Sequence, residues 1–171
     1  MPTTPFLLSS YTASSNVSTI SISNISQSYT DLWLTVSSRD NGTSEWGFPS
    51  FQINGITTST YNNNSLRGYV GGLDGGNQAN MPYFVGAYGT ANGSEANSFG
   101  AAYIYIPNYA NASTYKNIRW SGYNNNNNAT SYNIDAMYYW ANIGAVTSLL
   151  FTPVNGGTLF YQYTQINVYG I

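Results

Sequence analysis

The side chains able to carry acid–base or nucleophilic chemistry in this chain are few. Six carboxylates (Asp31, Asp40, Glu45, Asp74, Glu95 and Asp135) and four cations (Arg39, Arg67, Lys116 and Arg119) are present, with no histidine and no cysteine. Losing histidine removes the side chain most used as general base and as neutral metal ligand, and losing cysteine removes thiolate nucleophiles, thiolate metal sites and disulfides. What remains is a carboxylate pair, which in a glycosidase must face each other across roughly 5 to 10 Å with one pKa raised. Asp40 and Asp74 instead sit in glycine turns, where Asp commonly bonds its own backbone. Asp74-Gly75-Gly76-Asn77 lacks the dense acidic spacing of a calcium loop, and residues 68–76 lack the Lys and Ser/Thr of a phosphate-binding loop. The expectation is a non-enzymatic protein with no catalytic residues, no metal and no cofactor.

Aromatic side chains are left to do the recognising. The chain holds 17 tyrosines and 4 tryptophans in 171 residues, and tyrosine offers a large amphipathic contact surface at low entropic cost. Tyr103, Tyr105, Tyr161 and Tyr163 follow a strand period and read as structural. Trp46, Tyr61, Tyr69, Tyr88 and Tyr123 fall in or beside expected loops, where a ring is free to pack on a partner protein or, as the second choice, on a sugar face. Phe6, Leu7 and Leu8 add an apolar cluster near the start, and these eight residues are the candidate partner contacts.

The elements that must position them are strands. In the stretch 99–109, Phe99, Ala101, Tyr103 and Tyr105 alternate with Ala102, Ile104 and Ile106, which predicts a central strand covered on both faces and stopped by Pro107. Similar alternation predicts strands over 17–25, 32–39, 48–53, 81–88, 116–123, 131–140, 146–153 and 158–171, with a helical turn over 137–143 as the alternative at the end of 131–140. Asn54-Gly55 and Asn155-Gly156-Gly157 supply turn chemistry. The asparagine run 124–128 reads as an exposed tip, and 71–80, broken by paired glycines, as a mobile loop that only a brief pairing at 66–70 precedes. Residues 1–15, with Pro2 and Pro5, read as an extended arm rather than a regular element, and 16–171 as one domain. Roughly eight strands separated by turn signals predict an all-β, antiparallel, jelly-roll-like sandwich. Its core is expected to be Leu32, Leu34, Val36, Phe51, Ile53, Ile104, Ile106, Leu149, Phe151 and Val168.

Charge narrows the partners further. Only 6% of residues are charged and the formal net charge is -2, so there is no basic footprint for nucleic acid. No apolar run approaches the ~18 residues of a membrane helix, and Phe6-Leu7-Leu8 lacks the basic flank of a signal peptide, which predicts neither membrane insertion nor secretion. Seven Asn-X-Ser/Thr triplets are what this much Asn, Ser and Thr yields by chance.

The runs SISNISQSYTDLWLTVSSRD at 21–40, FQINGITTSTYNNNSLRG at 51–68, AAYIYIPNYANASTYKN at 101–117 and the terminal VYGI together resemble a group of small structural proteins of tailed bacteriophages that infect aquatic bacteria. That resemblance implies a β-sandwich exposed on the virion, assembled in the host cytoplasm, most simply a capsid decoration or cement protein. Its expected partners are the major capsid protein or other virion proteins and further copies of itself. The alternative it implies is a receptor-binding or tail-fibre tip domain recognising host surface glycans.

Overall fold

The computed structural model of the protein describes residues 4–69, 71–86, 89–125 and 131–171. Tyr88, Pro2 and the asparagines at 126–128 lie outside the described residues. Among the described residues thirteen strands follow one another without a helix: β1 (Phe6–Thr12), β2 (Ile20–Ile22), β3 (Leu32–Ser38), β4 (Trp46–Ile53), β5 (Tyr61–Tyr69), β6 (Gly72–Met81), β7 (Phe84–Val85), β8 (Gly89–Thr90), β9 (Gly100–Ile106), β10 (Lys116–Asn125), β11 (Ser131–Trp140), β12 (Leu149–Val154) and β13 (Gln165–Gly170).

Four of the pairings nest inside one another: β1 with β13, β2 with β12, β3 with β9 and β4 with β7, all antiparallel. A long hairpin rolled on itself gives this pattern, and it is a jelly roll. Its strands divide into two stacked sheets. One contains β2-β12-β4-β7, with β8 also paired to β4; the other begins β1-β13-β3-β9 and is lengthened by β10-β11-β5-β6 to eight strands. The roll takes eight of the strands, and β5, β6, β8, β10 and β11 are built onto it, so the sandwich has thirteen strands among the described residues where about eight were expected.

Two of those additions depart from expectation: β6 is ordered where a mobile loop was expected over 71–80, and β5 runs through 61–69 where only a brief pairing at 66–70 was expected. The asparagine-rich β5 and glycine-rich β6 have little intrinsic strand preference, but β5 is paired along its whole length with β11, whose Tyr, Ile and Trp favour a sheet. β6 then pairs back on β5, with Gly71 at φ 106° closing the hairpin and Arg67 bonding Asp74 directly across it at 2.8 Å. The N-terminal stretch is extended, but over Phe6–Thr12 it is a regular edge strand. Its register shifts between Leu7 and Ser9, and such a bulge hides the alternation that would have marked it.

The core lies between the sheets, and all ten expected core residues are buried in it. On the β13-β3-β9 side it is aliphatic, with Ile104 opposite Leu34 and Val168 opposite Leu34 in the ladder. On the β10-β11 side it is aromatic: Phe51 packs on Phe84, Trp120 and Phe151 at ring-centroid distances of 4.9, 5.2 and 5.7 Å. Gly86 makes this possible, because a Cβ there would stand 2.1 Å from the Trp120 ring and 1.9 Å from the Pro49 carbonyl oxygen.

With few ions available, asparagines pin the loops. Asn54 accepts from the amides of Thr147 and Ser148 and donates to the Ala145 carbonyl, while Asn41 accepts from the amides of Thr158 and Leu159. Asn54 and Asn155 also take the left-handed backbone that the expected Asn-Gly turns require.

Candidate binding face

Because residues directly opposite in a ladder share a face, the strand registers lay out the outer surface of the eight-stranded sheet as a grid. One transverse row reads Ser37, Ala101, Tyr123, Asn133, Gly68, Leu73 across β3, β9, β10, β11, β5 and β6. The next reads Thr35, Tyr103, Ser121, Asp135, Leu66, Gly75, and the third Trp33, Tyr105, Arg119, Met137, Asn64, Asn77. β13 supplies Gln165, Asn167 and Tyr169 at the ends of these rows.

Read along its diagonals, the grid separates by chemistry. Trp33, Tyr103 and Tyr123 form an aromatic stripe, exposed at 41%, 38% and 59%, and the first two meet edge to face with ring centroids 6.4 Å apart. Met137, Leu66 and Leu73 form a parallel stripe of flexible apolar side chains, exposed at 61%, 57% and 74%. Polar residues separate them. Arg119 and Asp135, themselves diagonal neighbours, form an ion pair at 2.7 Å with both side chains about half exposed. Central strand β9 is therefore covered on one face only: Ile104 is fully buried, whereas Tyr103 faces outward. The expectation of two covered faces fails because, among the described residues, no element packs on the outside of this sheet.

A shallow groove of about 520 Å³ runs beside the aromatic stripe. Its dip lies over Ser37 and Ala101, small residues in the same row as Tyr123 and one row from Tyr103. Thr35, Asn133, Gln165 and Asn167 edge it with hydroxyls and amides, and none of its lining residues bears a formal charge. Asn167 is held in place by bonds with Thr35 and Ser10 at 3.2 and 2.6 Å.

The other expected contact residues are scattered. Tyr123 belongs to the aromatic stripe. Tyr61 is a correction: it is fully buried, its hydroxyl donating to the Ile56 carbonyl and accepting from the Ile53 amide, and burial pushes that phenol up to about 12. As the first residue of β5 it points into the core, opposite buried Trp140, so no partner can reach it. Trp46 and Tyr69 come together on the inner side of the sheet, both against the Tyr132 ring at 4.8 and 6.1 Å. Phe6 and Leu7 are exposed on edge strand β1, Phe6 lying flat against Tyr29 at 6.0 Å, while Leu8 packs toward the core. Tyr163 is not a strand residue: it sits at φ 73° in the turn before β13 and is exposed.

Four carboxylates are engaged in structural bonds. Asp74 and Asp135 hold arginines; Asp31 accepts from the Tyr105 hydroxyl at 2.6 Å and the Asn108 amide at 2.7 Å. That bond to a carboxylate pushes the Tyr105 phenol up to about 12. Asp40 is buried, accepts from the Gly42 amide at 2.8 Å, and has its carboxyl pushed up to about 6 by burial. Among the described residues no group of three or more acidic side chains is arranged to hold a metal ion.

Trp33, Leu66, Met137 and Leu73 escaped sequence reasoning. The signal was present in part, since Trp33 is out of phase with Leu32, Leu34 and Val36, but neighbourhood across β3, β9 and β10 requires the strand order. Compared with family models, with curated proteins and with solved structures, the chain matches none.

Proposed function

We propose that this protein is a non-enzymatic structural component of a bacteriophage particle, a decoration or cement protein that docks on neighbouring virion proteins through the apolar stripe of its outer sheet face. The observation that carries the docking surface is the exposure of Met137, Leu66 and Leu73 side by side on an unpartnered sheet. Flexible aliphatic side chains gain little from a sugar or an ion, and they gain most from burial against another apolar surface. The virion itself rests on the sequence resemblance, and the sparse charge suits close packing beside other protein surfaces, the major capsid protein or further copies of the chain. The alternative reading, a receptor-binding or tail-fibre tip domain, draws on the aromatic stripe instead.

The test locates the protein and then disables the stripe. Immunogold labelling of intact particles should decorate the head as a lattice; label confined to the tail would favour the alternative, and label nowhere on the particle would end the virion reading. A Leu66→Ser, Leu73→Ser variant should lose particle occupancy while keeping the wild-type thermal midpoint, because both side chains already face water. Full occupancy by that variant would reject this stripe as the docking surface.

A further inference from the structure

We infer that the aromatic stripe is a second, separate site, one that binds a neutral oligosaccharide along the line Trp33–Tyr103–Tyr123. This site does not depend on what the apolar stripe meets.

The geometry comes from the sheet itself. Diagonal neighbours on adjacent strands stand about 7 to 8 Å apart, so the three rings span roughly 15 Å from Trp33 to Tyr123. A single small ligand would leave at least one ring bare; a chain of several sugar rings would reach all three. Beside the stripe, Ser37 and Ala101 form the dip, which keeps room for a ring that lies between neighbouring aromatics. The groove's volume of about 520 Å³ falls within the range of small-ligand sites.

Chemistry selects the ligand class. Pyranose rings have an apolar face of C–H groups, which packs on aromatic rings, and an equatorial belt of hydroxyls, which needs donors and acceptors at the rim. Both are in place here: Trp33, Tyr103 and Tyr123 supply ring surface, and Thr35, Asn133 and Gln165 supply hydroxyl and amide groups. The lining carries no formal charge, so nothing in it would compensate a sulfate, phosphate or uronate group. Arg119, the nearest cation on the grid, is held by Asp135. A protein partner is the poorer fit to this half of the face, because the dip and the hydroxyl-rich edge give little continuous apolar area, in contrast to the Met137–Leu66–Leu73 stripe.

Trp33 provides the readout, since Trp120 and Trp140 are fully buried and only Trp33 among the tryptophans is strongly exposed. The full chain is titrated with neutral cello-, malto-, xylo- and manno-oligosaccharides of two to six units, and with alginate oligosaccharides as an anionic control. Tryptophan emission and amide resonances are followed. At least one neutral series should shift Trp33 emission and the resonances of 33–37, 101–103 and 121–123, with affinity rising with chain length up to the span of the stripe. Trp33→Ala and Tyr123→Ala should each weaken that binding about tenfold or more, the size of one lost ring-stacking contact. Tyr139→Ala, outside the stripe, should leave it unchanged, and thermal midpoints near wild type verify that each variant is folded. The inference is overturned if no neutral series perturbs Trp33 at millimolar concentration, if the anionic control binds better, or if Trp33→Ala binds as wild type. It is also overturned if Trp33 emission responds only to contact with another virion protein. Loss of particle occupancy in the Leu66→Ser, Leu73→Ser variant with sugar binding intact would show that the two sites are separate.

Discussion

The two faces of the eight-stranded sheet are made by the same strands and obey opposite rules. On the inner face of β9, Ile104 sits among Leu34 and Trp120; one residue earlier, Tyr103 meets Trp33 and open solvent. Polar groups differ in the same way. Beyond the end of β3, Asp40 is buried and holds its proton up to about pH 6, whereas on the outer face Asp135 pairs with Arg119 in the open. The inner face fixes the fold through packing that tolerates no change in shape. The outer face is free to carry a pattern, and it carries two apolar diagonals separated by a polar one.

Mutations on β9 break or sustain that comparison most directly. Ile104→Ala should lose about 2 to 5 kcal/mol in urea melts, because it leaves a cavity in a closed core. Tyr103→Ala, its neighbour on the outer face, should change stability by less than about 1 kcal/mol. Equal losses would mean that the outer face is structural after all.

The carboxylates sharpen it next. The Asp40 proton is held more tightly in the fold than in the unfolded chain, where its ordinary value is 3.8. The folded state therefore binds more protons between about pH 4 and pH 6, and stability from this group falls as pH rises through that window, by about 2 to 3 kcal/mol in all. Asp40→Asn retains the acceptor for the Gly42 amide and should remove that fall, seen as the difference between variant and wild-type urea midpoints from pH 4 to 7.

Smaller effects locate the boundary of the closed core. Gly86→Ala should cost about 1 to 3 kcal/mol, as overpacking does, since its Cβ would enter the Trp120 ring. Gly76→Ala on β6, whose nearest contact would be the Ser65 hydroxyl at 3.8 Å, should be neutral in thermal melts. Smallest of all, a double-mutant cycle on Arg119 and Asp135 should give a coupling of about 0.2 to 1 kcal/mol that fades as salt is added.

Much of the fold was legible in the chain because aliphatic alternation is strong in β3 and β9 and asparagine–glycine turns are explicit. The β5-β6 hairpin was not, since Asn and Gly carry no strand preference and its order comes from β11 beside it. Tyr61 was misread for the same reason: adjacent asparagines suggested a loop, while the ladder with β11 turns its ring inward opposite Trp140. The aromatic stripe is a property of strand order and register together. Trp33, Tyr103 and Tyr123 lie on three strands separated by up to 90 positions in the chain, and no local pattern relates them.

The nested pairing of the roll also sets how the molecule can be made. β1 pairs with β13, Phe6 opposite Gly170, so β1 stays without this partner until β13 has been synthesised. Contacts this distant in sequence close slowly, on the millisecond-to-second scale of other all-β domains. During that wait the edge of β3 destined for β13 stays unpaired, whereas the β10-β11 and β5-β6 hairpins, whose strands are close in sequence, can form at once. The β10-β11 and β5-β6 hairpins of the large sheet should therefore form before β1 closes onto β13.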